Sequence, residues 1–158
     1  MKEVNIYTDG SSRGNPGPGG YGVVLIYKNI RKELSEGFRH TTNNRMELLA
    51  AIAGLNALKT PCKVQLYSDS KYVIDAFNNG WIKSWEEKGW KKKDNKPVSN
   101  LDLWKRIIIL HRIHKVNFIW VKGHSDNIEN ERCDLLAVTA ASSENLSIDE
   151  GYEKISTP

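Results

Sequence analysis

The chain has 158 residues, of which 39% are hydrophobic and 27% are charged, and this balance is typical of one soluble globular domain. The formal net charge of +4 is by itself only weak support for an acidic partner. No apolar run approaches the roughly 20 residues that cross a membrane. The absence of a signal peptide and the two widely spaced cysteines, Cys62 and Cys133, predict a cytoplasmic protein with reduced thiols and no membrane partner.

The first predicted element is a strand at residues 4–8, whose alternating apolar side chains lead directly to Asp9. Residues 64–68 have the same pattern and lead to Asp69. If these strands are parallel neighbours, both carboxylates lie at one edge of the sheet, where the ligand sites of open α/β sheets are found. The sequence therefore predicts a site at this edge.

A glycine-rich segment follows Asp9. Gly17, Gly19 and Gly22 match the pattern G-x-G-x-x-G of dinucleotide-binding proteins. That motif must open a helix, because the pyrophosphate sits on the helix N-terminus. Residues 23–27 are β-branched and aromatic and predict a second strand instead, so we reject the dinucleotide interpretation. The glycines predict a turn whose backbone approaches another group closely.

Two predicted helices begin with local signals. Apolar residues at helical spacing predict the first helix, with Asn43 or Asn44 as its N-cap and Glu47 in its first turn, where the helix dipole favours a carboxylate. Farther along the chain, Ser99 and Asp102 have the spacing of a capping box, which predicts the start of a later helix.

The order of the elements predicts an α/β fold. The first three strands form a meander, and each later strand is reached through a helix and should run parallel to the first. The switch in strand order then falls between the first and fourth strands, where Asp9 and Asp69 lie. The predicted strands are at about 4–8, 23–27, 31–39, 64–68 and 116–121, and the predicted helices at about 44–59, 71–79, from 101 onward, and 127–141.

Four carboxylates, Asp9, Glu47, Asp69 and Asp134, meet if the helices cross near this sheet edge. Two like charges 4 Å apart repel by about 4 kcal/mol at an effective dielectric constant of 20. A hard divalent cation such as Mg²⁺ prefers oxygen ligands and would relieve this repulsion. Taken singly, each carboxylate is also compatible with a turn or helix-start role. The joint pattern favours a metal site.

Six short segments occur in order over nearly the whole chain to about residue 141: YTDGS at 7–11, GNPGPGGYG at 14–22, TTNNRME at 41–47, SDS at 68–70, WVKGH at 120–124 and ENERCD at 129–134. Together they resemble type 1 ribonuclease H. The resemblance implies a mixed five-stranded sheet of order 3-2-1-4-5, with strand 2 antiparallel and helices on both faces. It implies a catalytic domain at 1–142, with a basic protrusion at about 81–98, and a tail at 143–158 that we expect to be partly ordered at best.

The resemblance implies hydrolysis of the RNA strand of RNA–DNA hybrids with Mg²⁺ or Mn²⁺. Two metal ions suit an in-line phosphoryl displacement that leaves 5′-phosphate and 3′-hydroxyl ends. Asp9 is the best candidate to bridge the two ions. His124 corresponds to the family's loop histidine and is expected to assist proton transfer or product release; Asp126 stands nearby where the family commonly has glycine. The implied catalytic residues are Asp9, Glu47, Asp69, Asp134 and His124.

The segment at 81–98 combines three tryptophans with six lysines, which indicates a nucleic-acid contact through neutralised phosphates. A solvated basic helix with inward tryptophans is the alternative. By the resemblance, Trp81 packs on a deoxyribose, and Asn15 and Thr42 hold a DNA phosphate. The resemblance also places Asn15, Asn43 and Lys71 where the family reaches minor-groove edges and the 2′-hydroxyl that marks RNA. The implied substrate contacts are Asn15, Thr42, Asn43, Lys71, Trp81, Trp85, Lys91, Lys92, Lys93 and Asn130, the last of which could also orient Asp134.

Three other interpretations of the sequence remain at this point. One is a DNA-directed nuclease of the same fold, such as a resolvase or integrase core. Another is a hybrid-binding module without catalysis, and a third is the ribonuclease H portion of a reverse transcriptase. We expect a free-standing monomer whose partner is an RNA–DNA hybrid that it cleaves with little sequence specificity.

Overall fold

The computed structural model describes residues 1–123 and 127–156, with side chains in the last helix as far as Lys154. It contains one five-stranded sheet of order β3-β2-β1-β4-β5. Strand β2 is antiparallel to both β1 and β3, whereas β4 is parallel to β1 and β5. The predicted mixed sheet is confirmed. The strands are β1 (Lys2–Ser12), β2 (Gly17–Tyr27), β3 (Ile30–Thr41), β4 (Cys62–Ser68) and β5 (Lys115–Trp120).

Helices cover both faces of this sheet. On β2, Gly22 lies against the backbone of one helix, whereas the next residue, Val23, lies near Gly54 of another. Successive residues of a strand point to opposite faces, so the two helices pack on opposite sides. The helices are α1 (Asn43–Asn56), α2 (Lys71–Asn78), α3 (Trp81–Glu87), α4 (Leu101–Ile113), α5 (Ile128–Ala141) and α6 (Glu150–Ser156).

The glycine-rich segment is mostly strand rather than turn. It enters β2 at Gly17, and Gly20 and Gly22 face α5. A Cβ atom would lie 2.4 Å from the carbonyl oxygen of Ala137 at Gly20, and 2.3 Å from that of Cys133 at Gly22. The expected close approach of backbone is therefore present, and the group approached is helix α5, which carries Asp134.

Two helix starts differ from the sequence prediction. The N-cap of α1 is Thr42, whose hydroxyl accepts the N–H of Arg45 at 3.3 Å. Helix α4 follows Asn100 in the left-handed conformation, without a side-chain cap. The capping box of Ser99 and Asp102 is therefore wrong, because the Asp102 carboxylate binds the guanidinium of Arg45 instead, at 2.7 and 2.9 Å.

The segment at 143–158 was expected to be partly ordered at best, yet the structure packs it as far as residue 156 onto the sheet edge. Ser147 exchanges backbone hydrogen bonds with Gly37 and Arg39 of β3 at 2.8 and 2.9 Å. The carboxylate of Asp149 then accepts two hydrogen bonds from Arg45, at 2.7 and 3.0 Å. Arg45 is only 1% exposed, and a buried guanidinium needs carboxylate partners, which explains why this segment is ordered.

Both cysteines, Cys62 and Cys133, are buried and unpaired, as predicted. Among the helices that the structure describes, none combines the length and the apolar character that a membrane span requires.

Candidate active site

The first three predicted carboxylates come together at the predicted sheet edge. Asp9 lies near the end of β1, and Asp69 directly follows β4, its parallel neighbour. Glu47 enters from α1 just beyond its first turn, rather than from the first turn as expected, because the helix already begins at Asn43. One carboxylate oxygen from each of the three lies within 4.8 Å of the others. Asp9 and Glu47 are buried, with 6% and 5% exposure.

The fourth carboxylate, Asp134, approaches from α5 on the other side of the same cavity. This cavity has a volume of about 210 Å³. Asn130, one helical turn before Asp134, is buried and lines it as well. The side chain of Asn130 therefore lies where sequence analysis expected it, beside Asp134. The cavity is lined by Asp9, Gly10, Asn43, Glu47, Asp69, Asn130, Glu131 and Asp134.

Burial and mutual repulsion perturb two of these acids. Burial raises the pKa of Asp9 to about 8, and the charges of Asp69 and Asp134 add to the rise. Burial also raises the pKa of Glu47 well above its usual range, with further contributions from the charges of Asp9 and Asp69. The backbone N–H of Gly10 donates to Asp9 Oδ1 at 3.0 Å and only partly opposes this. At neutral pH the metal-free cluster therefore favours a partly protonated state, and a bound cation would favour the ionised one.

An oxygen of Glu47 provides a test of whether a metal ion fits here. Among the residues that the structure describes, Glu47 Oε1 is the buried side-chain oxygen or nitrogen that lacks a hydrogen-bond partner. A buried polar atom without a partner costs free energy that an ion would recover. All potential metal-ligand atoms of the cluster are carboxylate oxygens, which Mg²⁺ and Mn²⁺ prefer. The residues therefore fit a hard divalent cation.

Two glycines allow backbone segments to lie close to the carboxylate cluster. A Cβ atom on Gly10 would lie 2.4 Å from the backbone nitrogen of Glu47, so only glycine lets α1 sit this close to β1. A Cβ atom on Gly123 would lie 2.9 Å from Asp69 Oδ2. Gly123 thus packs directly against a candidate metal ligand. The loop residue after it, His124, lies outside the described residues, as does Asp126.

Three predicted substrate contacts gather at the start of α1, beside the carboxylates. The Asn15 side-chain oxygen accepts the backbone N–H of Asn43 at 3.1 Å. Thr42 caps the helix, and Asn43 lines the carboxylate cavity. Asn15 and Asn43 are both exposed. The structure therefore places these three polar residues together, on an accessible surface next to the acids.

The basic protrusion is built around helix α3 and the turn that follows it. Trp81 is exposed, whereas Trp85 is half-buried with its ring 5.2 Å from that of the buried Trp104. The turn is closed by a hydrogen bond from Lys92 N–H to the carbonyl of Lys96 at 2.8 Å. None of these side chains lines the carboxylate cavity. The structure thus separates an exposed Trp81 from a core-packed Trp85, and leaves the predicted contacts Lys91, Lys92 and Lys93 exposed.

Two residues beside the site were not singled out from sequence. Glu131 lines the carboxylate cavity from α5. Trp120 ends β5, and its ring lies 4.7 Å from the ammonium group of Lys71, measured to the ring centroid. Its indole N–H also donates to the backbone oxygen of Asp69 at 3.2 Å. The strand register could have indicated Trp120, because residue 120 pairs with Ser68, the neighbour of Asp69.

Comparisons with known proteins agree with this geometry. The family model described as RNase H matches residues 1–142. A ribonuclease H from Desulforamulus reducens is 58% identical over 149 residues, which cover 94% of each chain. The solved type 1 ribonuclease H called LC9-RNase H1 is 33% identical, with a TM-score of 0.83 over 100% of this chain and 82% of that one. LC11-RNase H1, solved in complex with an RNA/DNA hybrid, is 25% identical, with a TM-score of 0.67 over 87% and 96% of the two chains.

The match to the family model extends over all five strands and over α5, and so over each element that delivers a carboxylate to the cavity. Sequence identity to a curated ribonuclease H is well above half across nearly the full length of both chains. The chain therefore belongs to the ribonuclease H family of hydrolytic endoribonucleases.

Proposed function

We propose that this protein cleaves the RNA strand of RNA–DNA hybrids with two divalent metal ions, Mg²⁺ or Mn²⁺, and leaves 5′-phosphate and 3′-hydroxyl ends. The observation that carries this proposal is the oxygen cluster of Asp9, Glu47 and Asp69, together with the unpartnered Glu47 Oε1. The hybrid as substrate is supported by the relative LC11-RNase H1, which was solved in complex with one.

In this proposal, Asp9 would contribute to holding both ions. Glu47 and Asp69 would hold one of them with it, and Asp134, which approaches from α5, would hold the other. When bound, the two ions supply charge stabilisation to the attacking and leaving oxygens of an in-line displacement. The buried acids Asp9 and Glu47 release protons when the ions bind, because their raised pKa values favour the neutral form in the free protein.

Two further residues act on the reacting groups in this proposal. His124 moves a proton at the scissile phosphate or assists product release. The side chain of Asn130, which lines the cavity, orients Asp134 or a water molecule next to it. His124 is not required to bind the hybrid, so its substitution should affect turnover more than affinity. Asn130 is also one of the implied substrate contacts, so its substitution should affect both.

The substrate contacts divide into two groups. Near the carboxylates, Asn15 and Thr42 hold a DNA phosphate, while Asn43 and Lys71 reach groove edges and the RNA 2′-hydroxyl. Because these contacts are made to the backbone and to the 2′-hydroxyl, little sequence specificity is expected.

On the protrusion, Trp81 packs on a deoxyribose. Trp85 completes this surface, with its ring 6.3 Å from that of Trp81 and anchored on the core. Electrostatic attraction to phosphates comes from the exposed lysines at 91–93.

A cleavage assay with two end-labelled duplexes of one sequence, an RNA–DNA hybrid and duplex DNA, tests the proposal. We expect cleavage of the RNA strand in the hybrid with Mg²⁺ or Mn²⁺, no cleavage with EDTA, and none of duplex DNA. The products should be substrates for ligation through their 5′-phosphates. Binding of the hybrid without metal-dependent cleavage would instead indicate a binding module, and cleavage of duplex DNA would indicate a DNA-directed nuclease.

We also propose that residues 1–142 form the catalytic domain, including the protrusion, and that the protein acts as a cytoplasmic monomer. The buried free cysteines support a reducing compartment. Light scattering during gel filtration measures the mass directly, and a mass of twice the 17.9 kDa chain would contradict the monomer.

A further inference from the structure

Trp120 combines an exposed position with two specific contacts. It is the last residue of the edge strand β5 and is 44% exposed, whereas Phe118 in the same strand is buried. A large aromatic side chain on an exposed strand end loses much of the benefit of burial. Burial alone therefore does not account for a tryptophan at this position, and its contacts with Asp69 and Lys71 suggest another role.

The first contact is to the backbone at Asp69. The indole N–H of Trp120 donates to the carbonyl oxygen of Asp69 at 3.2 Å. The next residue, Val121, donates its N–H to the carbonyl of Ser68 at 2.9 Å. The last residue of β5 and the residue that follows it thus bind two consecutive carbonyls, those of Asp69 and Ser68, at the end of β4. This pair of bonds restrains the backbone that carries the Asp69 carboxylate into the cluster.

The second contact is to Lys71. Its ammonium nitrogen lies 4.7 Å from the centroid of the Trp120 ring, within the range of a cation–π interaction. Lys71 is the first residue of α2 and is exposed. The positive end of the helix dipole disfavours a cation at this position. The negative face of the indole ring offsets that effect and holds the ammonium group on the side of Asp69.

We propose that Trp120 is a positioning residue for the reaction, which fixes the Asp69 backbone through its indole N–H and the Lys71 ammonium through its ring face. This inference rests on the proposed function, in which Asp69 is a metal ligand and Lys71 contacts the hybrid. The two contacts leave from different parts of one side chain, so substitutions can separate them.

Four variants separate the two contacts. Trp120→Phe keeps an aromatic face and removes the N–H, while Trp120→Leu removes both. Lys71→Gln removes the charge, and the Trp120→Leu/Lys71→Gln double variant completes a thermodynamic cycle. The matched control is Tyr27→Leu. It removes a ring that lies 5.3 Å from the ammonium group of Lys2, at the amino end of β1 and thus at the other end of that strand from Asp9.

Three measurements on the full chain form the test. They are steady-state cleavage of the hybrid, hybrid affinity in EDTA by fluorescence anisotropy, and thermal unfolding. Loss of an outer contact to a metal ligand typically costs about 10- to 100-fold in activity or metal affinity. We therefore expect Trp120→Phe to lower kcat about tenfold, with KM and hybrid affinity unchanged.

For Trp120→Leu we expect the same loss of kcat and, in addition, about two- to fivefold weaker hybrid binding, which is the size of one exposed cation–π contact. In the Lys71→Gln background, Trp120→Leu should weaken binding no further, because the cation is already absent. Tyr27→Leu should leave kcat, KM and affinity unchanged.

Additive losses of affinity in the cycle would overturn the ring contact to Lys71, and would show that Trp120 touches the hybrid directly. A Trp120→Phe variant with normal kcat would overturn the N–H contact, and it is the informative variant if Trp120→Leu does not fold. A wild-type chain that neither binds nor cleaves hybrids would refute the proposed function itself, and this inference with it. If the wild type cleaves the hybrid but the affinity losses are additive, or Trp120→Phe has a normal kcat, only the inference about Trp120 is refuted and the proposed function stands.

Discussion

Replacing Asp9 by Asn removes one negative charge from the centre of the cluster. The nearest carboxylate oxygens of Asp9, Glu47 and Asp69 lie within 4.8 Å of one another. At that distance and an effective dielectric constant of 20, one pair of charges repels by about 3.5 kcal/mol. In the absence of metal, the substitution should therefore stabilise the folded protein where Asp9 is ionised.

The raised pKa of Asp9 predicts a stability gain of similar size for Asp9→Asn and also shows how this gain depends on pH. Because its pKa rises from 3.8 to about 8 on folding, the folded protein binds more protons than the unfolded chain between these values. Stability of the metal-free wild type consequently falls as pH rises from about 4 to 8. Each pH unit contributes up to about 1.4 kcal/mol, so the advantage of Asp9→Asn should grow by about 3–4 kcal/mol between pH 5 and pH 9.

Urea unfolding in EDTA at pH 5 and pH 9 measures this advantage for wild type and Asp9→Asn. Asp94→Asn is the control, because Asp94 lies on the exposed turn of the protrusion, away from the cluster. Added Mg²⁺ should stabilise the wild type more than the variant, since a ligand that binds only the folded state adds to its stability. Hybrid cleavage by the folded variant should be almost lost. If the stability gain of Asp9→Asn does not grow with pH, the proposed repulsion among the carboxylates is refuted. Near-normal hybrid cleavage by this variant would refute the role of Asp9 as a metal ligand.

Three further predictions concern other parts of the protein. Replacing the lysines at 91–93 by alanine should weaken hybrid binding and reduce the slope of log K against log salt by roughly 0.9 per lost phosphate contact, while saturated single-turnover cleavage stays unchanged; an unchanged slope would contradict a phosphate contact. His124→Ala should lower kcat about 100-fold with KM nearly unchanged, and tenfold weaker binding at a normal saturated rate would make His124 a substrate contact. Asp149→Ala leaves the buried guanidinium of Arg45 with fewer carboxylate oxygens and should lower the free energy of unfolding by about 3 kcal/mol. Arg39→Ala, which breaks a surface ion pair of the same segment, should lower the free energy of unfolding far less than Asp149→Ala in the same urea titration.

The sheet edge and its acids were predictable because their signals are local. Asp9 and Asp69 each directly follow an apolar run, and the switch in strand order follows from the alternation of strands and helices. The contact of Gly123 with the Asp69 carboxylate, by contrast, required the structure. Patterns within a few residues thus indicated Asp9, Asp69 and the switch in strand order between them, whereas the full strand order and the catalytic set of four carboxylates were implied by the family resemblance.

Contacts between distant segments could not be predicted in this way. Asp102 has capping-box spacing relative to Ser99, yet the buried Arg45 competes for the same carboxylate and binds it. The polar segment that contains Asp149 resembles a disordered tail by composition, and its order depends on the same guanidinium. Nothing in the sequence indicated the contacts of Trp120, because its partners, the backbone carbonyl of Asp69 and the side chain of Lys71, are about 50 residues away in the chain.

The pairing of Arg45 with Asp149 has a consequence for how the protein is made. Arg45 is synthesised 104 residues before Asp149. At about 5–20 residues per second, the ribosome needs roughly 5–20 s to make that interval. Throughout this time the nascent chain holds a guanidinium that its finished core buries, and Asp102 is the first of its two carboxylate partners to be made. Completion of the core therefore awaits the last carboxylate, so the helix that bears Glu47 reaches its final environment only near the end of synthesis.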